Sequence, residues 1–161
     1  MKTLIIMRHA KSSWSDPGAQ DIERPLNPRG RASAKALGEW LRFGGFEPDL
    51  VLCSPAARTV ETWSRLGLEA ELRHVDAFYL GAPGAYLEAF RNASGRCVMA
   101  LGHNPGIAAF ARDILAEPPG HERFHDFPTG ATVVADYEGD WAELSPGSAT
   151  LRAFTVPRDL T

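Results

Sequence analysis

Leu4-Ile5-Ile6-Met7-Arg8-His9-Ala10-Lys11-Ser12 is the stretch on which the reading of the whole chain turns. Four apolar residues run directly into an Arg-His pair, and the chain then becomes polar. A short apolar run closed by small polar residues predicts a buried strand entering a loop. Arg8 and His9 would stand at the carboxyl end of that strand, where open α/β sheets bind their ligands. A neutral imidazole can attack phosphorus, and a guanidinium is shaped to hold phosphate oxygens. Taken alone, the stretch also fits a strand-end pair that only bonds a loop carboxylate.

Two later stretches repeat the pattern. Leu50-Val51-Leu52-Cys53 runs into Ser54-Pro55, read as the N-cap and first turn of a helix through Arg58, Thr62 and Arg65 to about Gly67. Arg58 then falls in the first turn, near the positive helix end. Cys97-Val98-Met99-Ala100-Leu101 runs into Gly102-His103-Asn104-Pro105-Gly106, and Ile107, Phe110, Ile114 and Leu115 follow at helical spacing. Between these segments, Asn27-Pro28 opens a helix with Ala34, Leu37, Leu41 and Trp40 as its apolar stripe, ended by Gly44-Gly45. A short strand is expected over 71–75, and Pro83 opens a helix with Tyr86, Leu87 and Phe90 on its apolar face. Segments 132–137 and 150–154 read as late strands; no helix signal separates them, so they are expected to be antiparallel. The alternation predicts an α/β fold: three layers, α/β/α, with a mainly parallel sheet and a late antiparallel addition, in one domain spanning residues 1–161.

Composition narrows the classes of function. The 161 residues carry a formal net charge of -3, which gives no global pull toward nucleic acid or anionic membrane. No apolar run has membrane-spanning length, and the N-terminus does not read as a signal peptide. Cys53 and Cys97 lie in apolar runs and read as reduced thiols of a cytoplasmic protein, without zinc-site spacing. Any anion site must therefore come from local basic residues.

Arg8-His9, Arg58 and His103 each lie just beyond a predicted strand. If those strands are neighbours, the four side chains converge on one crevice. Two arginines can hold the oxygens of a phosphoryl group, one imidazole can attack phosphorus, and the other can stabilise charge in the transition state.

These stretches carry a resemblance. Residues 4–10 are similar to the opening motif of the histidine phosphatase superfamily, Ser54-Pro55-Ala56-Ala57-Arg58-Thr59-Val60-Glu61-Thr62 to its second motif, and Gly102-His103-Asn104-Pro105-Gly106 to its late histidine motif. Asp21-x-x-Arg24-Pro25-Leu26 and Asn27-Pro28-Arg29-Gly30 resemble the short SixA-type phosphohistidine phosphatase branch. The resemblance implies a phosphoglycerate-mutase-like fold and no metal or cofactor. It implies that His9 is the nucleophile, that Arg8 and Arg58 bind the phosphate, and that His103 contacts it and stabilises the transition state. The expected activity is hydrolysis of phosphohistidine on a protein through a phospho-His9 intermediate, with the enzyme acting as a monomer.

Two positions depart from the family pattern. Ala10 stands where Gly is commonest, and the Glu that serves larger members as proton donor has no clear counterpart. Asp76 is a candidate general acid; the alternative is that it caps the following turn. With Asp76 as acid, the chain would be a small phosphomonoesterase acting on a metabolite phosphate. A third reading, from another class, is a phosphate-binding module without turnover.

Other signals have plainer readings. His121-Glu122-Arg123-Phe124-His125 matches the zincin signature, but it is boxed between Pro118-Pro119-Gly120 and Pro128 and reads as a solvated loop. The polar loop 12–28 is long enough to suggest function. Within it, Trp14 either stacks on a substrate or anchors the loop, and Arg24 either lines the pocket or pairs with Asp21. Lys11 either adds positive potential near the phosphate or is an ordinary surface lysine, His74 reads as a surface residue, and Phe127-Pro128-Thr129-Gly130, ahead of a late strand, is a candidate to approach the site with no role assigned.

Overall fold

Sequence alternation becomes strand and helix alternation in the computed structural model, which describes residues 1–161. The order is β1 (Lys2–Arg8), α1 (Pro28–Phe43), β2 (Leu50–Cys53), α2 (Ala57–Leu66), β3 (Glu71–His74), α3 (Pro83–Arg91), β4 (Cys97–Gly102), α4 (Gly106–Ile114), β5 (Thr132–Tyr137) and β6 (Thr150–Thr155). One six-stranded sheet has the order β3-β2-β4-β1-β5-β6. β3, β2, β4 and β1 are parallel, β5 runs antiparallel to β1, and β6 antiparallel to β5. The register pairs Arg8 with Gly102 and Cys53 with Leu101, so β1, β4 and β2 end at nearly one level.

The period-2 alternation of the central strands feeds two cores. Leu4, Ile6, Leu52, Val98 and Ala100 face Tyr86, Phe90, Phe110 and Ile114 of α3 and α4. Ile5, Met7, Val51, Met99 and Leu101 face Leu37, Leu41 and Leu66 of α1 and α2. The architecture is the three-layer α/β/α arrangement expected, with helices on both faces. No helix is long and apolar enough to cross a membrane. Both cysteines are free thiols, and burial pushes each up to about 12.

Local chemistry sets the helix starts. The Asn27 side chain accepts a hydrogen bond from the Gly30 N–H at 2.8 Å and Pro28 opens α1, as the sequence predicts. Ser54 is not the cap of α2. That helix begins at Ala57, behind Ala56, and has no side-chain cap. The Ser54 hydroxyl accepts from the Ala56 N–H at 3.2 Å, and the Ser54 carbonyl accepts from Thr59 Oγ1 at 2.9 Å. These bonds hold the strand-to-helix turn and free Ser54 for a different role.

Two close approaches join α1 to its surroundings. A Cβ at Gly30 would meet the Lys11 carbonyl, and one at Gly38 would meet the Leu66 carbonyl at the end of α2. Backbone on backbone leaves nothing flexible to yield. Gly38→Ala is therefore expected to destabilise the fold by about 3 kcal/mol through overpacking, measured by urea unfolding. A change under 1 kcal/mol would contradict this packing. Ala10 shows the opposite tolerance. Its methyl group is fully buried with Leu26 and Ala34, so the position that is commonly Gly in the family has room for a side chain here.

The zincin-like segment is a succession of turns, not a helix. His121 Nε2 bonds Asp159 Oδ2 at 2.8 Å, Phe124 is buried in the core, and His125 is exposed. The two imidazoles do not share a helix face.

Candidate active site

Because β2, β4 and β1 are adjacent, their carboxyl ends deliver side chains to one place. Arg8 and His9 follow β1, His103 follows β4, and Arg58 sits in the first turn of α2 after β2. All four line a cleft of about 310 Å³, together with Lys11, Ser12, Trp14, Asn104 and Thr129. The cleft wall contains no carboxylate. A larger groove of about 810 Å³ lies between α1 and α2 and holds none of the four.

The two imidazole rings lie 5.3 Å apart at 54°. His9 Nδ1 is 2.6 Å from the Ala10 carbonyl oxygen. A carbonyl only accepts, so Nδ1 carries the proton and Nε2 keeps its lone pair. Burial pushes the His9 imidazole down to about 3 and the His103 imidazole to about 4, with the Arg58 charge adding to the second. Both rings are neutral at physiological pH. His103 is held from two sides: its Nε2 lies 2.7 Å from Ser54 Oγ, and its backbone N–H donates to the buried Tyr86 hydroxyl at 3.0 Å. Ser54, read as a helix cap, is thus a partner of the second histidine.

Arg58 is oriented by Asp21. Its two terminal nitrogens donate to the Asp21 carbonyl at 2.7 Å and to Asp21 Oδ2 at 3.0 Å. The Tyr79 hydroxyl donates to the same Oδ2 at 2.6 Å. The Tyr79 hydroxyl and the Arg58 guanidinium hold the Asp21 carboxyl below the usual carboxylate range. Arg24 does not pair with Asp21. Its guanidinium donates to the Asp16 and Ala19 carbonyls at 3.1 and 3.2 Å and lies 4.1 Å from the Trp14 ring. Arg24 is therefore a buried brace for loop 12–28, and Trp14, 68% exposed, stacks on it at the rim of the cleft. Thr62 Oγ1 accepts from the Ala10 N–H at 3.0 Å and donates to the Arg58 carbonyl at 2.6 Å, tying the β1 exit to α2.

Segment 127–130 closes the fourth side. The Phe127 carbonyl accepts from Arg8 at 3.2 Å and from Asn104 Nδ2 at 2.9 Å, and the Gly130 N–H donates to the His9 carbonyl at 2.9 Å. Its proximity to β1 comes from the β1–β5 pairing, a long-range contact with no local sequence signal. Asp76 is exposed, makes no side-chain hydrogen bond and is not part of the cleft wall; it does not cap its turn.

Electrostatically, the cleft combines two partly desolvated cations with two neutral imidazoles. Burial and the nearby Arg58 charge make the Arg8 cation less favourable than in water. Arg8 Nε, His103 Nδ1 and Asn104 Oδ1 are buried without a protein hydrogen-bond partner. Buried polar groups normally find partners; Arg8 Nε can donate to an anion, and so can His103 Nδ1 in the tautomer whose Nε2 accepts from Ser54, whereas Asn104 Oδ1 only accepts. Such a site can take a tetrahedral oxyanion.

The buried neutral histidines carry a consequence for stability. Both lie below their unfolded value of 6.5, so the unfolded chain binds more protons as pH falls from there. Their contribution is complete above pH 6.5 and is lost as pH falls through about 4 for His103 and about 3 for His9, at about 1.4 kcal/mol for each unit of depression. The melting temperature is expected to drop over this window. In a His9→Asn/His103→Gln variant the drop should be much shallower; equal slopes would contradict the burial argument.

A mixed, mainly parallel α/β sheet carries a cationic, two-histidine cleft at its strand ends. The chain belongs to the histidine phosphatase superfamily, whose branch 1 description matches residues 4–79. A protein of Nakamurella multipartitia, assigned as a phosphohistidine phosphatase SixA, is 30% identical, with a TM-score of 0.87 over 97% of this chain and 96% of that one. A second such assignment, from Agrobacterium tumefaciens, is 26% identical, with a TM-score of 0.79 over 97% of this chain and 99% of that one. An uncharacterised protein of Mycobacterium tuberculosis is 38% identical over 160 residues, covering 94% of this chain and 100% of the relative. The fold is phosphoglycerate-mutase-like and of SixA type.

Proposed function

We propose that this chain is a protein phosphohistidine phosphatase that works through a phospho-His9 intermediate. The observation that carries this reading is His9 itself: its Nδ1 proton is committed to the Ala10 carbonyl, which leaves Nε2 as the nucleophile beside two guanidiniums. Arg8 and Arg58 hold the phosphoryl oxygens. His103, fixed by Ser54 and Tyr86, stabilises the charge that builds on them. His9 Nε2 forms a bond to phosphorus as the substrate P–N bond breaks, and the leaving imidazole takes a proton from water. A second water then attacks phosphorus and the P–Nε2 bond breaks; its surplus proton neutralises the hydroxide left by the first water, and inorganic phosphate leaves with neutral His9 restored.

The leaving group decides the substrate class. An alkoxide needs a proton donor. The cleft wall offers no carboxyl group, Asp21 is held ionised by Tyr79 and Arg58, and Asp76 is exposed outside the wall. A phosphohistidine expels an imidazole, and transfer to His9 exchanges one imidazole for another. This asymmetry favours the phosphoramidate over a metabolite phosphomonoester. We read the chain as one domain acting as a monomer in the cytoplasm on a phosphorylated protein.

Turnover on a phosphohistidine peptide and on sugar phosphates tests the proposal. We expect kcat/KM at least about a hundredfold higher for the peptide, the scale of a missing general acid. Faster cleavage of sugar phosphates would reject it.

A further inference from the structure

Beside the catalytic cleft lies a second pocket of about 280 Å³ that the mechanism does not use. Lys11, Arg29, Arg123 and Arg158 line it, with no carboxylate in its wall. Lys11 and Thr129 line both the pocket and the cleft, so the two are adjacent. Arg123 is already committed to Asp126, with three contacts of 2.9 to 3.2 Å. Asp159, next to Arg158 in sequence, is bonded to His121 at 2.8 Å. Lys11, Arg29 and Arg158 are exposed and make no ion pair. Three free cations thus gather at one edge of the site in a chain whose net charge is -3.

We propose that this pocket is a specificity site for acidic residues flanking the phosphorylated side chain of a protein substrate. The three cations come from separate segments: the loop after β1, the first turn of α1 and the C-terminal segment. They make a broad, solvent-facing field, not a closed cage of buried donors. A compact second phosphate needs convergent donors, whereas carboxylates spaced along a peptide match separated point charges. A field of this kind steers an acidic partner and fixes its register more than it adds raw affinity. The proposal rests on the phosphohistidine reading, since it concerns residues beside the same scissile group.

The test compares two phosphohistidine peptides, one with Glu flanks and one with Gln flanks, on the wild type and on Arg29→Glu/Arg158→Glu. Neither substituted residue belongs to the catalytic cleft. Exposed ion pairs are individually weak; acting together they should favour the Glu peptide by about tenfold in kcat/KM. Raised salt should erase the preference. In the variant the ratio should fall to about one or invert, while hydrolysis of the small substrate phosphoramidate stays unchanged. A wild-type ratio near one, a ratio untouched by the variant, or an equal loss on phosphoramidate would overturn the proposal. If neither peptide is hydrolysed but phosphoramidate is, the protein-substrate reading fails by itself. The pocket is then judged by inhibition of phosphoramidate hydrolysis. Inhibition by an unphosphorylated Glu-rich peptide that the variant loses supports it. No inhibition by that peptide, or inhibition by pyrophosphate alone, overturns it.

Discussion

His9→Ala is expected to lower kcat for phosphohistidine hydrolysis by about ten-thousand-fold or more, the scale on which removal of a covalent nucleophile acts. The reason is structural as well as chemical. His9 is the ring whose tautomer is fixed by a backbone carbonyl, and the other imidazole is tied to Ser54, so His103 is not placed to substitute for it. The same variant separates an enzyme from a binding module. A module would keep its affinity for phosphate and would have shown no phosphate release beforehand. A thermal melt accompanies the kinetics, because His9 is only 6% exposed and its loss leaves a small cavity. A folded variant with activity within tenfold of wild type would remove His9 from the mechanism.

Arg58→Ala is the second large effect. The substitution removes one pair of charged donors and also strips Asp21 of its cation, leaving a carboxylate held only by Tyr79 at the edge of an anion site. Loss of preorganised donors typically costs two to three orders of magnitude, and the exposed anion adds to it; kcat/KM is expected to fall about a thousandfold. Arg58→Lys keeps the charge but not the planar fork, so about a hundredfold loss is expected. The double variant Asp21→Asn/Arg58→Ala should recover about fivefold relative to Arg58→Ala, because the orphan charge is gone. Steady-state kinetics with inorganic phosphate as a competitive inhibitor reads all three. An Arg58→Ala enzyme within fivefold of wild type would contradict the phosphate-holding role.

Much of this arrangement is written locally. The apolar runs at β1, β2 and β4 and the residues that end them mark the positions of Arg8, His9, Arg58 and His103. What no single run states is that β4 lies between β1 and β2, and that order is what brings the four together. Non-local pairing also explains the misreadings. Ser-Pro after a strand has the chemistry of a cap, but Ser54 lies beside His103, which is 49 residues away, and its hydroxyl goes there. Asp21 and Arg24 are close enough in sequence to pair, yet Asp21 turns to Arg58 and Tyr79, 37 and 58 residues distant. Arg24 is buried beneath Trp14 and satisfies loop carbonyls. Sequence spacing carries no signal for either choice.

The central claim is that phosphorus is bonded to His9 Nε2 during turnover. Rapid quench of the wild-type enzyme with a substrate carrying a radiolabelled phosphoryl group tests it most directly. The account predicts a transient protein-bound label that is labile to acid, stable to base and located on His9. Label on a different residue, or phosphate release at the wild-type rate with no labelled protein at any time, would contradict it.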